Sequence, residues 1–336
     1  MKRIVVIGDG GWGTALALLL HETGCDVGLW SHDADYAKLL VEKRQNPRFL
    51  PGHEIPSSIR IANDLGAISS GCDLLISAVP TAYLRTVWSG LMPAVPDGVP
   101  IVSVSKGLEA ESLLRPSEVL EAVAGSQHTV AVLSGPNIAK EIAAGKPATS
   151  VIACADEQIA AEIQATFSGD TFRVYRNADR IGVELGGVLK NVIALAAGMC
   201  DGLELGVNAK ASLVSRGLLE MARLGCALGA ERSTFFGLSG LGDLMTTCYS
   251  ESSRNRTFGE RVGRGERVED IAASMQQVAE GVKSAAPLHD LMQRHGLSGP
   301  ITEEMYRVIH EGKSPRDVVT SLMRPGGRDE AEDLTL

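Results

Sequence analysis

At 336 residues the chain is long enough for two domains of ordinary size, each with its own core. Its 41 acidic against 32 basic side chains, net −9, exclude a protein-wide grip on nucleic acid or on an anionic membrane surface, so any anion must be held locally. The six cysteines are scattered without a CxxC pair and the seven histidines lack metal-ligand spacing, which argues for reduced thiols and against a metal.

The chain opens with Met1-Lys2-Arg3 and the apolar run Ile4 to Ile7, which the segment Gly8 to Gly13 interrupts before it reaches signal-peptide length; the expected location is the cytoplasm. Residues 3 to 8, RIVVIG, form a β-branched run, and Trp12 to Leu20 carries a helical pattern. Between them Gly8, Gly10 and Gly13 fit G-x-G-x-x-G. The first glycine serves a tight turn, the second the close approach of a pyrophosphate, and the third the packing of helix on strand. A second strand, Asp26 to Trp30, arrives at the expected interval, so the pattern points to dinucleotide binding.

Strand-like runs at Ile59 to Ala62, Leu74 to Val79, Ile101 to Val104 and Val130 to Leu133 alternate with helical stretches. Thr149 to Ala153 and Thr171 to Tyr175 flank a helix from Asp156 to Phe167 and extend the sheet. The fold class is α/β: a Rossmann-like, doubly wound parallel sheet over residues 1–178, followed by an all-α domain over 179–336. Its helices are expected at about Glu184 to Gly202, Asn208 to Gly225, Val268 to Ala279, Ala285 to His295, Thr302 to Glu311 and Pro315 to Leu322. Ser314-Pro315 is a helix start with a hydroxyl cap and a first-turn proline, and the tail from about Pro325 is expected to fray.

Three stretches carry groups capable of chemistry. Within ELGGVLKNVIALAAGMCDG (184–202), an apolar run too interrupted for a membrane span, Lys190 shares a helical stripe with Gly186, Gly187, Ala194 and Ala197. Such a trough suits close helix packing with the lysine reaching water, or a ligand lying beside a desolvated lysine that exchanges protons. Ser105-Lys106-Gly107 and Ser134-Gly135-Pro136 with Asn137 end two strands on the edge where ligands meet such sheets. Finally, Gly237 to Asp243, Thr246-Thr247 and Ser250 to Arg256 gather amides, hydroxyls and guanidinium groups suited to a small phosphorylated substrate.

Together the motifs GDGGWGTALA (8–17), SKGLE (105–109), SGPNIAKE (134–141), GGVLKNVIALAAGMCDGLELGVNAKA (186–211), GLSGLGDLMTTC (237–248), SRNR (253–256) and AEG (279–281) resemble the bacterial NAD(P)-dependent glycerol-3-phosphate dehydrogenase family over nearly the whole chain. The resemblance implies reversible reduction of dihydroxyacetone phosphate to sn-glycerol 3-phosphate, which feeds glycerophospholipid synthesis. It implies Lys190 as proton donor and acceptor, held by Asp243, with Asn191 and Thr247 lining the site. Lys106, Gly135, Asn137, Ser253, Arg254 and Asn255 match substrate contacts; Gly11, Trp12, Lys106, Ala139, Arg254 and Glu280 match cofactor contacts. The first turn departs from the family in reading Asp9 where alanine is usual.

For the cofactor, the second strand ends Trp30-Ser31-His32-Asp33. Ser31 and His32 can face a 2′-phosphate while Asp33 caps the following helix. Both NADPH and NADH are therefore expected to work, with NADPH modestly preferred. A homodimer is expected on frequency alone. Two other readings compete: a β-hydroxyacid or 6-phosphogluconate type dehydrogenase, in which lysine and asparagine stand four apart rather than adjacent, and a non-catalytic NAD(P) sensor, which has no need of Lys190, Asp243 and Arg254 together.

Overall fold

The computed structural model describes residues 1–275 and 279–323. The chain divides into two compact units, Met1–Lys106 with Arg115–Arg180, and Gly107–Leu114 with the residues from Ile181 onward. The segment Gly107–Leu114 thus folds with the helical unit although it follows a strand of the other, and its Leu108 belongs to the helical unit's apolar core.

The first unit is built on strands β1 (Arg3–Ile7), β2 (Asp26–Trp30), β3 (Gln45–Asn46), β4 (Leu50–Glu54), β5 (Arg60–Ala62), β6 (Leu74–Ser77), β7 (Ile101–Ser103), β8 (Val130–Ser134), β9 (Ala148–Ala153) and β10 (Phe172–Asn177). Eight of them form one sheet in the order β10-β9-β8-β7-β6-β1-β2-β5. Its central strands are buried along their whole length because helices cover both faces, as a parallel sheet requires. The helices are α1 (Gly11–Glu22), α2 (Ala34–Lys43), α3 (Gly66–Ser69), α4 (Thr81–Leu91), α5 (Pro116–Ala124), α6 (Ala139–Ala143) and α7 (Glu157–Phe167).

One joint departs from the expected parallel sheet: β9 runs antiparallel to β8, while β10 is parallel to β9. The connection from β8 to β9 contains only the short α6 (Ala139–Ala143), a helix too short to carry the chain back along the length of a strand as a parallel crossover does, so β9 returns beside β8 in the opposite direction. A second departure is the small antiparallel pair β3–β4, which the sequence reading passed over.

The second unit is helical. Its helices are α8 (Arg180–Gly202), α9 (Gly206–Ala227), α10 (Arg232–Phe235), α11 (Asp243–Tyr249), α12 (Arg254–Gly263), α13 (Val268–Ser274), α14 (Glu280–His295), α15 (Pro300–Glu311) and α16 (Pro315–Leu322). Helix α8 is buried from Gly182 to Met199. It is long and apolar enough to cross a membrane, but 94% of that apolar window lies inside the protein, the burial of a core helix. A side chain at Gly198 would overlap the Arg256 carbonyl, and one at Gly259 the Leu195 carbonyl, so α8 and α12 touch backbone to backbone. The helix expected over Val268 to Ala279 ends at Ser274, with residues 276–278 outside the described part, and α14 starts at Glu280, earlier than expected. The tail expected to fray from about Pro325 also lies outside the described residues.

Candidate active site

The glycine turn between β1 and α1 has the form its spacing predicts. Gly8 sits at φ +115°, and a Cβ there would come within 2.9 Å of the Ala78 carbonyl oxygen. A Cβ on Gly13 would overlap the Gly8 carbonyl, so this glycine lets α1 seat on the turn. Gly10 is different: a Cβ there meets nothing within 4 Å. Protein packing does not require a glycine at that position, whereas a closely approaching ligand does. Gly10 is also the N-cap of α1 and offers no side-chain cap, which leaves the first-turn amides for an anion. A dinucleotide's pyrophosphate therefore fits this turn, beside Gly11 and the half-buried Trp12.

The turn is braced by Asn46 on β3, which is completely buried. Its Nδ2 donates to the Asp9 carbonyl and to Thr14 Oγ1, both at 2.7 Å. Its Oδ1 accepts from the Tyr36 hydroxyl at 2.7 Å and the Phe49 amide at 3.0 Å. The full hydrogen-bonding capacity of the amide is spent on holding the turn. Sequence reading missed Asn46: the Asn46-Pro47 pair signals a turn, but nothing in the local pattern says what that turn grips.

At the end of β2, Asp33 caps α2, accepting from the Asp35 and Tyr36 amides at 2.9 and 3.0 Å. These bonds hold its carboxyl below the usual carboxylate range. His32 is exposed beside Trp30, with ring centroids 5.8 Å apart. Ser31 is buried, and its hydroxyl lies 2.7 Å from Asp9 Oδ2 and 3.1 Å from the Asp33 carbonyl. The glycine turn thus carries a second carboxyl, that of Asp9, to the end of β2. Burial raises the Asp9 pKa, with Asp33 adding to the rise and the Ser31 hydroxyl opposing it.

At the ends of β7 and β8, Lys106 Nζ donates to the Gly135 carbonyl at 3.2 Å. Asn137 Nδ2 donates to Ser150 Oγ at 3.1 Å, which in turn donates to the Ser134 carbonyl at 3.0 Å. Among the described residues, the buried Asn137 Oδ1 and Ser134 Oγ have no protein partner, as expected of groups that face a ligand. Ala139 opens α6 directly after this loop.

In the helical unit the stretch around Lys190 resolves into a buried polar cluster. Lys190 Nζ donates to Asp243 Oδ1 and to Thr247 Oγ1, both at 2.6 Å. Thr247 donates its single hydroxyl hydrogen back to the Asp243 carbonyl at 2.7 Å, which turns its lone pairs toward the lysine. The side chains of Lys190 and Asp243 are 8% and 3% exposed, so the lysine does not reach out to water. Desolvation works against the ammonium and Asp243 works for it, the balance a proton-exchanging group needs.

Of the two uses of the small-residue trough beside Lys190, close packing holds at Gly186, where a Cβ would lie 2.6 Å from the Ser239 carbonyl oxygen. The loop Gly237 to Gly242, expected as a phosphate cradle, instead forms a wide helical turn that leads Asp243 into α11. One step along α8, Asn191 Oδ1 accepts from Asn255 Nδ2 at 2.8 Å, and Asn191 Nδ2 donates to Glu280 Oε2 at 3.4 Å. Asn255 Oδ1 accepts from the Gly281 amide at 2.8 Å. Asn191, Asn255 and Glu280 thus knit α8, α12 and α14 together. The SRNR segment is the start of α12: Ser253 caps it through the Arg256 amide at 3.2 Å, and Arg254 stands at its first position.

The structure therefore brings Lys190, Asp243, Thr247, Asn191, Asn255 and Glu280 together in one unit, with Ser253 and Arg254 at the adjoining helix start. It groups Gly8, Gly10, Gly11, Trp12, Gly13 and His32, and separately Lys106, Gly135, Asn137 and Ala139, at strand ends of the other. Among the described residues no cluster of three or more His, Cys, Asp or Glu side chains is arranged to hold a metal.

Comparison with known proteins matches residues 3–160 to the family model of the NAD-dependent glycerol-3-phosphate dehydrogenase N-terminus, and residues 179–320 to that of its C-terminus. The chain is 46% identical over 329 residues to a glycerol-3-phosphate dehydrogenase [NAD(P)+] of Nitratidesulfovibrio vulgaris, covering 98% of this chain and all of the relative. It is 46% identical over 330 residues to that of Streptomyces coelicolor, covering 98% of each. The crystal structure of glycerol-3-phosphate dehydrogenase from Coxiella burnetii superposes with a TM-score of 0.92 at 37% identity, over 96% of this chain and 99% of that one. With both halves matched by the family models and full-length relatives at 46% identity, this chain belongs to the NAD-dependent glycerol-3-phosphate dehydrogenase family.

Proposed function

We propose that this chain catalyses the reversible reduction of dihydroxyacetone phosphate to sn-glycerol 3-phosphate with NADH or NADPH, supplying glycerophospholipid synthesis. The observation that carries the reading is the buried Lys190–Asp243–Thr247 cluster. A fixed ammonium in a desolvated site is the group needed to stabilise and protonate a developing alkoxide. The reduced nicotinamide, when bound, supplies the hydride. Gly10, Gly11, Trp12, Gly13, Lys106 and Ala139 are the groups we assign to holding the dinucleotide in the first unit, and Arg254 and Glu280 those in the second. Lys190 hydrogen-bonds the carbonyl oxygen and gives it a proton, and takes one back in the oxidative direction. Asp243 keeps the lysine charged until transfer, and Thr247 keeps its head from swinging away. In the second unit we assign Arg254, as a planar fork, with Ser253 and Asn255 to the phosphate, and in the first Lys106, Gly135 and Asn137 to substrate contacts. Remote binding energy at the phosphate then orients the carbonyl.

The end of β2 suggests a modest NADPH preference, but Ser31 there is engaged by Asp9 rather than turned to a 2′-phosphate. We infer use of both cofactors in the cytoplasm by a homodimer, whose mass light scattering checks. The family match and the adjacency of Lys190 and Asn191 favour this reading over a β-hydroxyacid dehydrogenase or a non-catalytic sensor. The test is loss of reduced-nicotinamide absorbance with dihydroxyacetone phosphate. Turnover of β-hydroxyacids alone, or cofactor binding without turnover of any ketone, refutes it.

A further inference from the structure

The carboxyl of Asp9 stands where Rossmann-type sites read the cofactor's adenosine ribose. In such folds the 2′ position is met at the end of the second strand, where an acid favours a hydroxyl and a cation favours a phosphate. Here the acid nearest in sequence, Asp33, has both its local donors in α2 and serves as a helix cap. Asp9 arrives from the other side, with Oδ2 2.7 Å from the hydroxyl of Ser31, the first residue after β2. We propose that Asp9 is the specificity-determining residue of the cofactor site: its carboxylate weighs against a 2′-phosphate and so favours NAD(H) over NADP(H). The inference rests on the dinucleotide reading above and names which dinucleotide the site selects.

The local hydrogen bonding makes this selectivity sensitive to pH. Ser31 has one hydroxyl hydrogen and two acceptors, Asp9 Oδ2 and the Asp33 carbonyl. With Asp9 ionised, that hydrogen is drawn to the carboxylate and the carbonyl loses it. With Asp9 protonated, the acid donates to Ser31 and Ser31 donates to the carbonyl, so both acceptors are served. Burial raises the Asp9 pKa, which moves this exchange toward neutral pH. The other charged or titratable groups around it are His32 and Asp33 in the loop after β2, Tyr36 on α2, and Arg48 in the β3–β4 turn. His32 and Arg48 attract a phosphate, so the selectivity is a balance in which Asp9 supplies the opposing charge. As pH rises through the Asp9 pKa the repulsion grows, and NADPH affinity falls relative to NADH.

The test is calorimetric titration of wild type, Asp9→Asn, Asp9→Ser and His32→Asn with NADH and with NADPH, from weakly acid to weakly alkaline pH. Asn keeps the shape and an acceptor for Ser31, and Ser guards against a folding defect particular to one variant. We expect Asp9→Asn to tighten NADPH about tenfold more than NADH, the scale of one like-charge contact near a surface. The wild-type-to-Asn affinity ratio for NADPH should widen with pH; the ratio cancels the 2′-phosphate's own ionisation. His32→Asn should weaken NADPH but keep the Asp9-linked trend. Equal changes for both cofactors, or none, in both Asp9 variants overturn the proposal alone. A wild type that binds neither cofactor overturns it together with the reading beneath it.

Discussion

Replacing Lys190 separates the chemistry of the helical unit from its stability. In Lys190→Met the Asp243 carboxyl keeps 3% exposure but loses its ammonium partner at 2.6 Å. The Thr247 hydroxyl, 3.3 Å from the same Oδ1, is a weak substitute for an ammonium. Stranding a buried charge in this way costs about 3 kcal/mol. In Lys190→Met with Asp243→Asn, both charges give way to neutral groups of similar volume, and most of that loss should return. Turnover should behave differently: kcat should fall by roughly 10² to 10⁴ in the single variant, the scale for loss of a general acid, and should stay down in the double variant. Urea unfolding and steady-state turnover on the three proteins decide the matter, with cofactor affinity as the control. Near wild-type turnover in Lys190→Met removes the lysine from the mechanism. A double variant no more stable than the single one shows that the loss comes from packing rather than from a stranded charge.

Arg254→Lys should lower kcat/KM for dihydroxyacetone phosphate by about 2 to 3 kcal/mol and scarcely touch unphosphorylated dihydroxyacetone, since an ammonium cannot make the parallel pair of bonds. Equal losses for both ketones with unchanged cofactor affinity would move the phosphate assignment elsewhere. Gly10→Ala should leave thermal stability within about 0.5 kcal/mol of wild type while weakening dinucleotide affinity, because its Cβ meets no protein atom within 4 Å. Gly13→Ala, whose Cβ would overlap the Gly8 carbonyl, should destabilise by about 2 kcal/mol; the opposite ranking in melting experiments would refute the account of the turn. Glu220 on α9 accepts from the Ile301 and Thr302 amides and the Thr302 hydroxyl, yet burial raises its pKa. An acid with a raised folded pKa contributes stability that is complete below its unfolded pKa and lost as pH rises through the folded one. Measured against Glu220→Gln, wild type should therefore gain stability on acidification; a gain on alkalinisation instead would show that the three donors outweigh burial.

The lysine on α8 shows how far sequence reading reaches into the site. The composition of residues 184–202 fixes a buried helix, because apolar side chains on every face leave it no solvated side. It leaves Lys190 undecided between packing and chemistry. Asp243 and Thr247, which decide it, lie 53 and 57 residues further on, a separation no local periodicity encodes. The small residues beside Lys190 are legible as a trough, but not what packs there: at Gly186 it is the Ser239 backbone, in the wide turn before α11.

The same division holds in the first unit. Short-range physics wrote β1, the glycine turn and α1 into the sequence, since strand alternation, left-handed φ and helix seating depend on residues within a few positions of one another. The helix caps Asp33 and Ser314 are equally local. Tertiary structure alone decided the reversal between β8 and β9, the bracing of the turn by Asn46, and the delivery of the Asp9 carboxyl to Ser31, 22 residues away. Asp9 meets Ser31 because β1 and β2 are neighbours in the sheet, and Asn46 reaches the turn from the separate β3–β4 pair. Their partners are chosen by sheet order and register, which the apolar pattern of any one strand does not specify.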